Sequence, residues 1–139
     1  MIKMLKRAIR GALLDTDFLI DLNRSKRNQW RQRAEKLLHD INSEELFVSS
    51  VTVIEFLTGI PENRQAEAQN MLEELYYYAT PTYKEAALAG KLRRDWLAKG
   101  YTLSVADVVN AAIAISRNLT LVTRNLAHYP FDQLTILSW

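Results

Sequence analysis

Apolar residues along the 139-residue chain fall into two patterns, short continuous runs and longer stretches repeating every three or four positions, and the two alternate. Ala12-Leu13-Leu14 is a short run ending at Asp15, and Phe18, Leu19 and Leu22 then start a helix. Trp30, Ala34, Leu37, Leu38 and Ile41 recur at helical spacing. Leu46-Phe47-Val48 predicts a second buried strand ending at Ser49-Ser50. Val51 to Leu57 reads as a short helix stopped by Gly59 and Pro61, and another helix is expected over Asn63 to Leu75. Tyr76 to Ala79 predicts a third strand, punctuated by Thr80-Pro81. A long helix follows over Ala86 to Ala98, closed by Gly100. Ser104 opens a helix through Ala114, Leu119 to Val122 predicts a fourth strand, and Leu134 to Leu137 a fifth.

Short apolar strands separated by helices predict an α/β fold: an open, central parallel sheet of four to five strands with helices on both faces. In such sheets ligands bind beyond the C-terminal ends of the strands. Polar residues stand at those ends, with Asp15, Thr16 and Asp17 after the first strand, Ser49 and Ser50 after the second, and Thr123, Arg124 and Asn125 after the fourth. Glu55 and Asp107 lie just inside flanking helices. Several carboxylates at one sheet edge repel one another unless a hard divalent cation sits between them. A plainer reading exists for some of these acids. Thr52 with Glu55, Ser104 with Asp107 and Thr82 with Glu85 all have capping-box spacing. Asp17 fits a first-turn helix acid and Asp21 a solvated neighbour. Asp15 resists such a reading, because an acid directly after Leu13-Leu14 lies at a buried strand end, where an unpaired charge is costly.

Composition narrows the chemistry. The length predicts one domain, with no internal repeat or Pro/Gly/Ser linker. The absence of cysteine excludes disulfides, zinc fingers and thiol nucleophiles, and with only His39 and His128 any metal must be held mainly by oxygen. No apolar run reaches membrane-spanning length and no signal-peptide pattern opens the chain, so a cytoplasmic protein with no membrane partner is expected.

The net charge of +2 conceals segregation. Residues 1–36 hold ten basic and four acidic groups, residues 37–75 one and eight, and residues 76–139 seven and four. Such asymmetry suits an RNA or phosphate ligand, although solvated helix faces give the same counts. Residues 1–10 form a basic, weakly amphipathic extension before a domain spanning 11–139.

The strings Leu13-Leu14-Asp15-Thr16-Asp17-Phe18-Leu19-Ile20, Val51-Thr52-Val53-Ile54-Glu55-Phe56, Ala106-Asp107-Val108-Val109-Asn110-Ala111-Ala112-Ile113-Ala114 and Leu121-Val122-Thr123-Arg124-Asn125 resemble, in order and spacing, the four motifs of PIN-domain ribonucleases. The similarity is greatest to VapC-like toxins of type II toxin–antitoxin pairs and covers about residues 12–139. It implies a three-layer α/β/α fold and an endoribonuclease dependent on Mg²⁺ or Mn²⁺. It also implies a homodimer, an RNA substrate such as tRNA, and a VapB-like antitoxin as partner. Carried over residue by residue, Asp15, Glu55 and Asp107 match the metal-binding acids, with Asp17 and Asn125 as further candidates. Thr16, Asn110 and Thr123 take supporting positions. Many members carry a fourth acid where this chain has Asn125, or a few residues later where it has His128, so the number of metal ions, one or two, stays open.

For such a site the expected chemistry is phosphodiester hydrolysis by a metal-activated water, with Arg24, Lys26, Arg27 and Arg124 on the RNA backbone. Trp30 reads as core at its apolar spacing, the alternative being a base-stacking surface. Two competing readings remain. One is a catalytically degenerate domain that binds RNA or a partner. The other is a haloacid-dehalogenase-type phosphatase with Asp15 as nucleophile and Asp17 as general acid.

Overall fold

The computed structural model describes residues 10–41 and 45–139, and the expected basic extension therefore lies, Arg10 apart, outside the described residues. Among the described residues, five parallel strands form one sheet: β1 (Ala12–Leu14), β2 (Leu46–Ser49), β3 (Tyr77–Ala79), β4 (Thr120–Val122) and β5 (Ile136–Leu137), in the order β3-β2-β1-β4-β5. The same residues include six α-helices: α1 (Thr16–Leu22), α2 (Gln29–Ile41), α3 (Ser50–Thr58), α4 (Gln65–Leu75), α5 (Tyr83–Ala98) and α6 (Val105–Arg117). The first strand is thus the central one. Leu13 pairs in register with Phe47 on one side and with Leu121 on the other.

The alternation of side chains along β1 divides the core in two, as the period of a strand requires. Leu13 points into a cluster with Ala89 and Leu92 of α5 and Val108, Ala111 and Ile113 of α6. Ala12 and Leu14 point the other way, toward Phe18 and Leu19 of α1, Ala34 of α2, Phe56 of α3 and Leu72 of α4. The result is three layers, with α5 and α6 on one face and α1 to α4 on the other. Both faces of β1 are fully buried, which explains why the strand reads as a continuous apolar run rather than an alternating one.

Several boundaries differ from those expected. The third strand begins at Tyr77, because Tyr76 closes α4 with its N–H on the Leu72 carbonyl. The helix expected from Asn63 begins at Gln65, preceded by a 3₁₀ turn over Glu62–Arg64. α5 starts at Tyr83 because Thr82 and Glu85 form a complete capping box. α6 runs on to Arg117 and ends where Asn118 takes the left-handed conformation, φ 53°, one that asparagine tolerates better than most residues. The fifth strand is confined to Ile136–Leu137. Among the described residues no helix is long and apolar enough to cross a membrane.

Candidate active site

Asp15 ends the central strand and caps α1. Its main-chain N–H bonds the Val122 carbonyl of β4 at 3.0 Å, and its Oδ1 accepts the Thr16 N–H at 2.8 Å. The side chain is 5% exposed, so its charge depends on neighbouring donors for stabilisation. Oδ1 also faces Asn110 Nδ2 at 3.4 Å, whereas Oδ2 accepts from Thr123 Oγ1 and the Tyr129 hydroxyl, each at 2.9 Å. Both lone pairs of each oxygen are thereby engaged.

These donors are themselves held. Asn110, fully buried on α6, accepts a short hydrogen bond from Ser49 Oγ and donates to Thr52 Oγ1 at 3.2 Å. Thr123 Oγ1 accepts from the Asn125 N–H at 3.1 Å. Asn110 thus bonds within the protein rather than facing solvent, joining the ends of β1 and β2 to α6.

Two further carboxylates join Asp15 through hydroxyl groups. Tyr129 reaches Asp107 Oδ1 at 3.1 Å as well as Asp15, and His128 Nδ1 lies 3.2 Å from Asp107 Oδ2. Thr123 Oγ1 lies 3.4 Å from Asp17 Oδ2, which also accepts from the Arg124 N–H at 2.9 Å and from Asn125 Nδ2 at 3.2 Å. The other oxygen of Asp17, Oδ1, is buried without a hydrogen-bond partner. Burial first, and the adjacent charge of Asp15 second, push the Asp17 carboxyl up to about 6.

Glu55 stands at the rim, joined to α1 by a 2.7 Å hydrogen bond from Thr16 Oγ1. The capping-box reading fails for it, since α3 is capped by Ser49 and Thr52 already lies inside the helix. For Asp107 it holds by half. Ser104 accepts the Asp107 N–H at 3.1 Å, while the carboxylate turns to Tyr129 and His128.

Asp21 departs most from expectation. It is fully buried rather than solvated, and it gathers Arg24 at 2.8 Å, Arg124 at 3.0 Å and the Trp139 indole N–H at 3.0 Å. The Arg124 guanidinium also lies 3.9 Å over the Trp30 ring and that of Arg33 lies 5.0 Å over it, so Trp30, half-buried and outside both core clusters, is a platform for cations rather than the core residue its spacing predicts. Arg27 is bonded to Glu35 at 3.0 Å. Of the four predicted backbone-binding cations, Lys26 is exposed and lines, with Arg24, Asn28, Glu55 and Phe56, a groove of about 490 Å³ beside the site.

Tyr129, Trp139 and the burial of Asp21 are absent from the expectations above, and nothing in the spacing of Tyr129 marks its hydroxyl.

The donor set suits a hard cation, being oxygen throughout apart from His128. The unpartnered buried oxygen of Asp17 agrees with that chemistry. Among the described residues no three acidic or histidine side chains already converge closely enough to hold an ion.

The family model for the PIN domain matches residues 12–133. Ribonuclease VapC1 of Methanocaldococcus jannaschii is 28% identical over 127 residues, which are 91% of this chain and 85% of that protein. Among solved structures, FitAcB from Neisseria gonorrhoeae superposes with a TM-score of 0.76 at 22% identity, over 91% of this chain and 96% of that one. VapBC-1 from nontypeable Haemophilus influenzae gives 0.75 at 23% identity, over 92% and 97%. These likenesses carry the fold.

Proposed function

Because the chain belongs to the PIN-domain family, we propose that it is an endoribonuclease dependent on Mg²⁺ or Mn²⁺, the cytoplasmic toxin of a VapBC-type pair. Its relative VapC1 is a ribonuclease, and its structural neighbours include VapBC assemblies. The proposed partners are RNA, a VapB-like antitoxin and a second copy of the chain. PIN membership displaces the phosphatase reading of Asp15 and Asp17.

One observation carries the proposal. Asp15, Asp17 and Asp107 are linked through Thr123 and Tyr129 at the C-terminal edge of the sheet, where an α/β fold binds its ligands. Asp15, Glu55 and Asp107 are the proposed cation ligands, with Asp17 contributing its free oxygen. A bound divalent ion would supply a water of lowered pKa and charge stabilisation at the scissile phosphate. Asn110, Thr123 and Tyr129 orient the carboxylates, and Thr16 holds Glu55 at the rim. Lys26, which lines the groove, and its exposed neighbour Arg27 attract the RNA backbone.

A second reading draws on Asn125, whose amide donates to Asp17 where many family members have an acid. It describes a domain that binds RNA without cutting. The two separate on incubating the antitoxin-free protein with an RNA pool containing structured tRNA, with Mg²⁺ or Mn²⁺ and then EDTA, beside an Asp107→Asn variant. Cleavage that requires metal and is lost in the variant supports the nuclease. Intact RNA bound by a folded protein supports the binding domain.

A further inference from the structure

Tyr129 presents a hydrogen-bonding conflict. Its hydroxyl has one proton and two carboxylate acceptors, Asp15 Oδ2 at 2.9 Å and Asp107 Oδ1 at 3.1 Å. The residue is 3% exposed, and a tyrosine hydroxyl, protonated at neutral pH, is a donor to either acid. At any instant one acid therefore receives the proton and the other faces a phenol lone pair.

The surroundings decide which bond can yield. Four donors surround Asp15, and while the Tyr129 proton is turned to it both lone pairs of each oxygen are taken, so a cation requires one donor to leave. Thr16 N is fixed by the start of α1, Asn110 by Ser49 and Thr52, and Thr123 by the Asn125 N–H. The second carboxylate of Thr123, Asp17 Oδ2, lies at 3.4 Å and already accepts from the Arg124 N–H and Asn125 Nδ2, whereas Tyr129 has Asp107 Oδ1 at 3.1 Å, so Tyr129 can release Asp15 and remain hydrogen-bonded.

We propose that Tyr129 is a positioning residue that acts as a toggle: its hydroxyl bridges Asp15 and Asp107 in the metal-free protein and turns its proton wholly to Asp107 when Asp15 takes a divalent cation. The inference rests on the reading of the site as cation-dependent. In the metal-free state the bridge offsets repulsion between two acids, and a cation removes that repulsion by itself. The hydroxyl therefore stabilises the empty site more than the filled one. Removing it is expected to tighten cation binding while weakening the metal-free fold.

The test titrates the full, antitoxin-free chain with Mg²⁺, which has no absorbance of its own, following calorimetric heat and the tyrosine ultraviolet difference spectrum. The expected result is a difference signal that saturates with the binding isotherm in the wild type and is missing in Tyr129→Phe. The variant is expected to bind Mg²⁺ about three- to tenfold more tightly, the effect of losing one hydrogen bond from one state. Among the described residues no other tyrosine bonds these acids, so the wild-type signal reports on Tyr129 even if the variant folds poorly. Mg²⁺ binding without a tyrosine signal, or unchanged or weaker binding by a folded variant, overturns the toggle and leaves the nuclease reading intact. No binding of Mg²⁺ or Mn²⁺ by the wild type overturns both.

Discussion

The guanidinium of Arg124 is bonded to the fully buried carboxylate of Asp21, Nη2 to Oδ2 at 3.0 Å. An arginine at a strand end beside a nuclease-like site invites assignment to substrate. Here its charge instead compensates a buried acid, and its main-chain N–H holds Asp17.

Arg124 and Lys26 should therefore respond differently to mutation. Arg124→Ala is expected to cost about 2 kcal/mol of stability, because it removes one partner of a buried charge that Arg24 still partly satisfies. Arg124→Lys should not restore it, since an ammonium lacks the planar stack on Trp30. Lys26→Ala should leave stability within about 0.5 kcal/mol and reduce the slope of log affinity for RNA against log salt by about 1. Denaturant titration and RNA binding at several salt concentrations check both.

Asp17 sets a pH dependence. Its folded-state pKa, about 6, lies above the ordinary 3.8, so the unfolded chain loses its proton first as pH rises. The stabilising contribution is complete below pH 3.8 and declines as pH climbs through 6. Asp17→Asn should flatten this part of the profile and stabilise the metal-free protein near pH 7 by about 1 kcal/mol, after allowance for partial solvent access. Urea unfolding in EDTA from pH 4 to 7 measures it.

Glu85 contributes in the opposite sense. The paired guanidinium of Arg117, at 2.8 Å, holds its carboxyl down at about 2. Its contribution is present above the ordinary value of 4.5 and is lost as pH falls toward 2. Glu85→Gln should cost about 2 kcal/mol at pH 7 and reduce the acid sensitivity of the fold, as thermal melts at pH 7 and pH 3 would register.

Asn110 joins α6 to the ends of β1 and β2. Asn110→Ala leaves Ser49, Thr52 and Asp15 without a shared partner in a fully buried position, for an expected cost of about 2 to 3 kcal/mol. Asn110→Asp should be no milder, because it places a second charge against Asp15. Chemical denaturation of both variants tests this.

Thr16 touches only one of the proposed ligands through its hydroxyl. Thr16→Val keeps the shape and releases Glu55, so RNA cleavage should fall about tenfold, in the range for lost ligand-orienting contacts. Stability should stay within about 0.5 kcal/mol. Cleavage rates at saturating metal, beside a thermal melt, separate the two effects.

The centre of the sheet was legible because β1 and β4 are short runs buried on both faces, and Asp15 stood out as a charge placed directly after such a run. What the sequence did not disclose is direction. Glu55 has the spacing of a capping box with Thr52, yet Ser49 had already capped that helix three residues earlier. Asp21 follows Leu19 and Ile20 on a short helix and looks solvated, but its partners Arg124 and Trp139 lie more than 100 residues away in the chain. Tyr129 was hidden for the same reason: an aromatic ring in the core says nothing of where its hydroxyl ends.

The central position of β1 has a consequence in time. Asn110, Thr123 and Tyr129 follow Asp15 in the sequence by 95, 108 and 114 residues. Contacts so distant in sequence form late, after the cost of closing a long loop has been met. A nascent chain that has paired β1 with β2 still lacks β4 and every donor that follows it. The carboxylate site is thus completed only by the segment that carries Thr123 and Tyr129, 108 and 114 residues of synthesis after Asp15 itself.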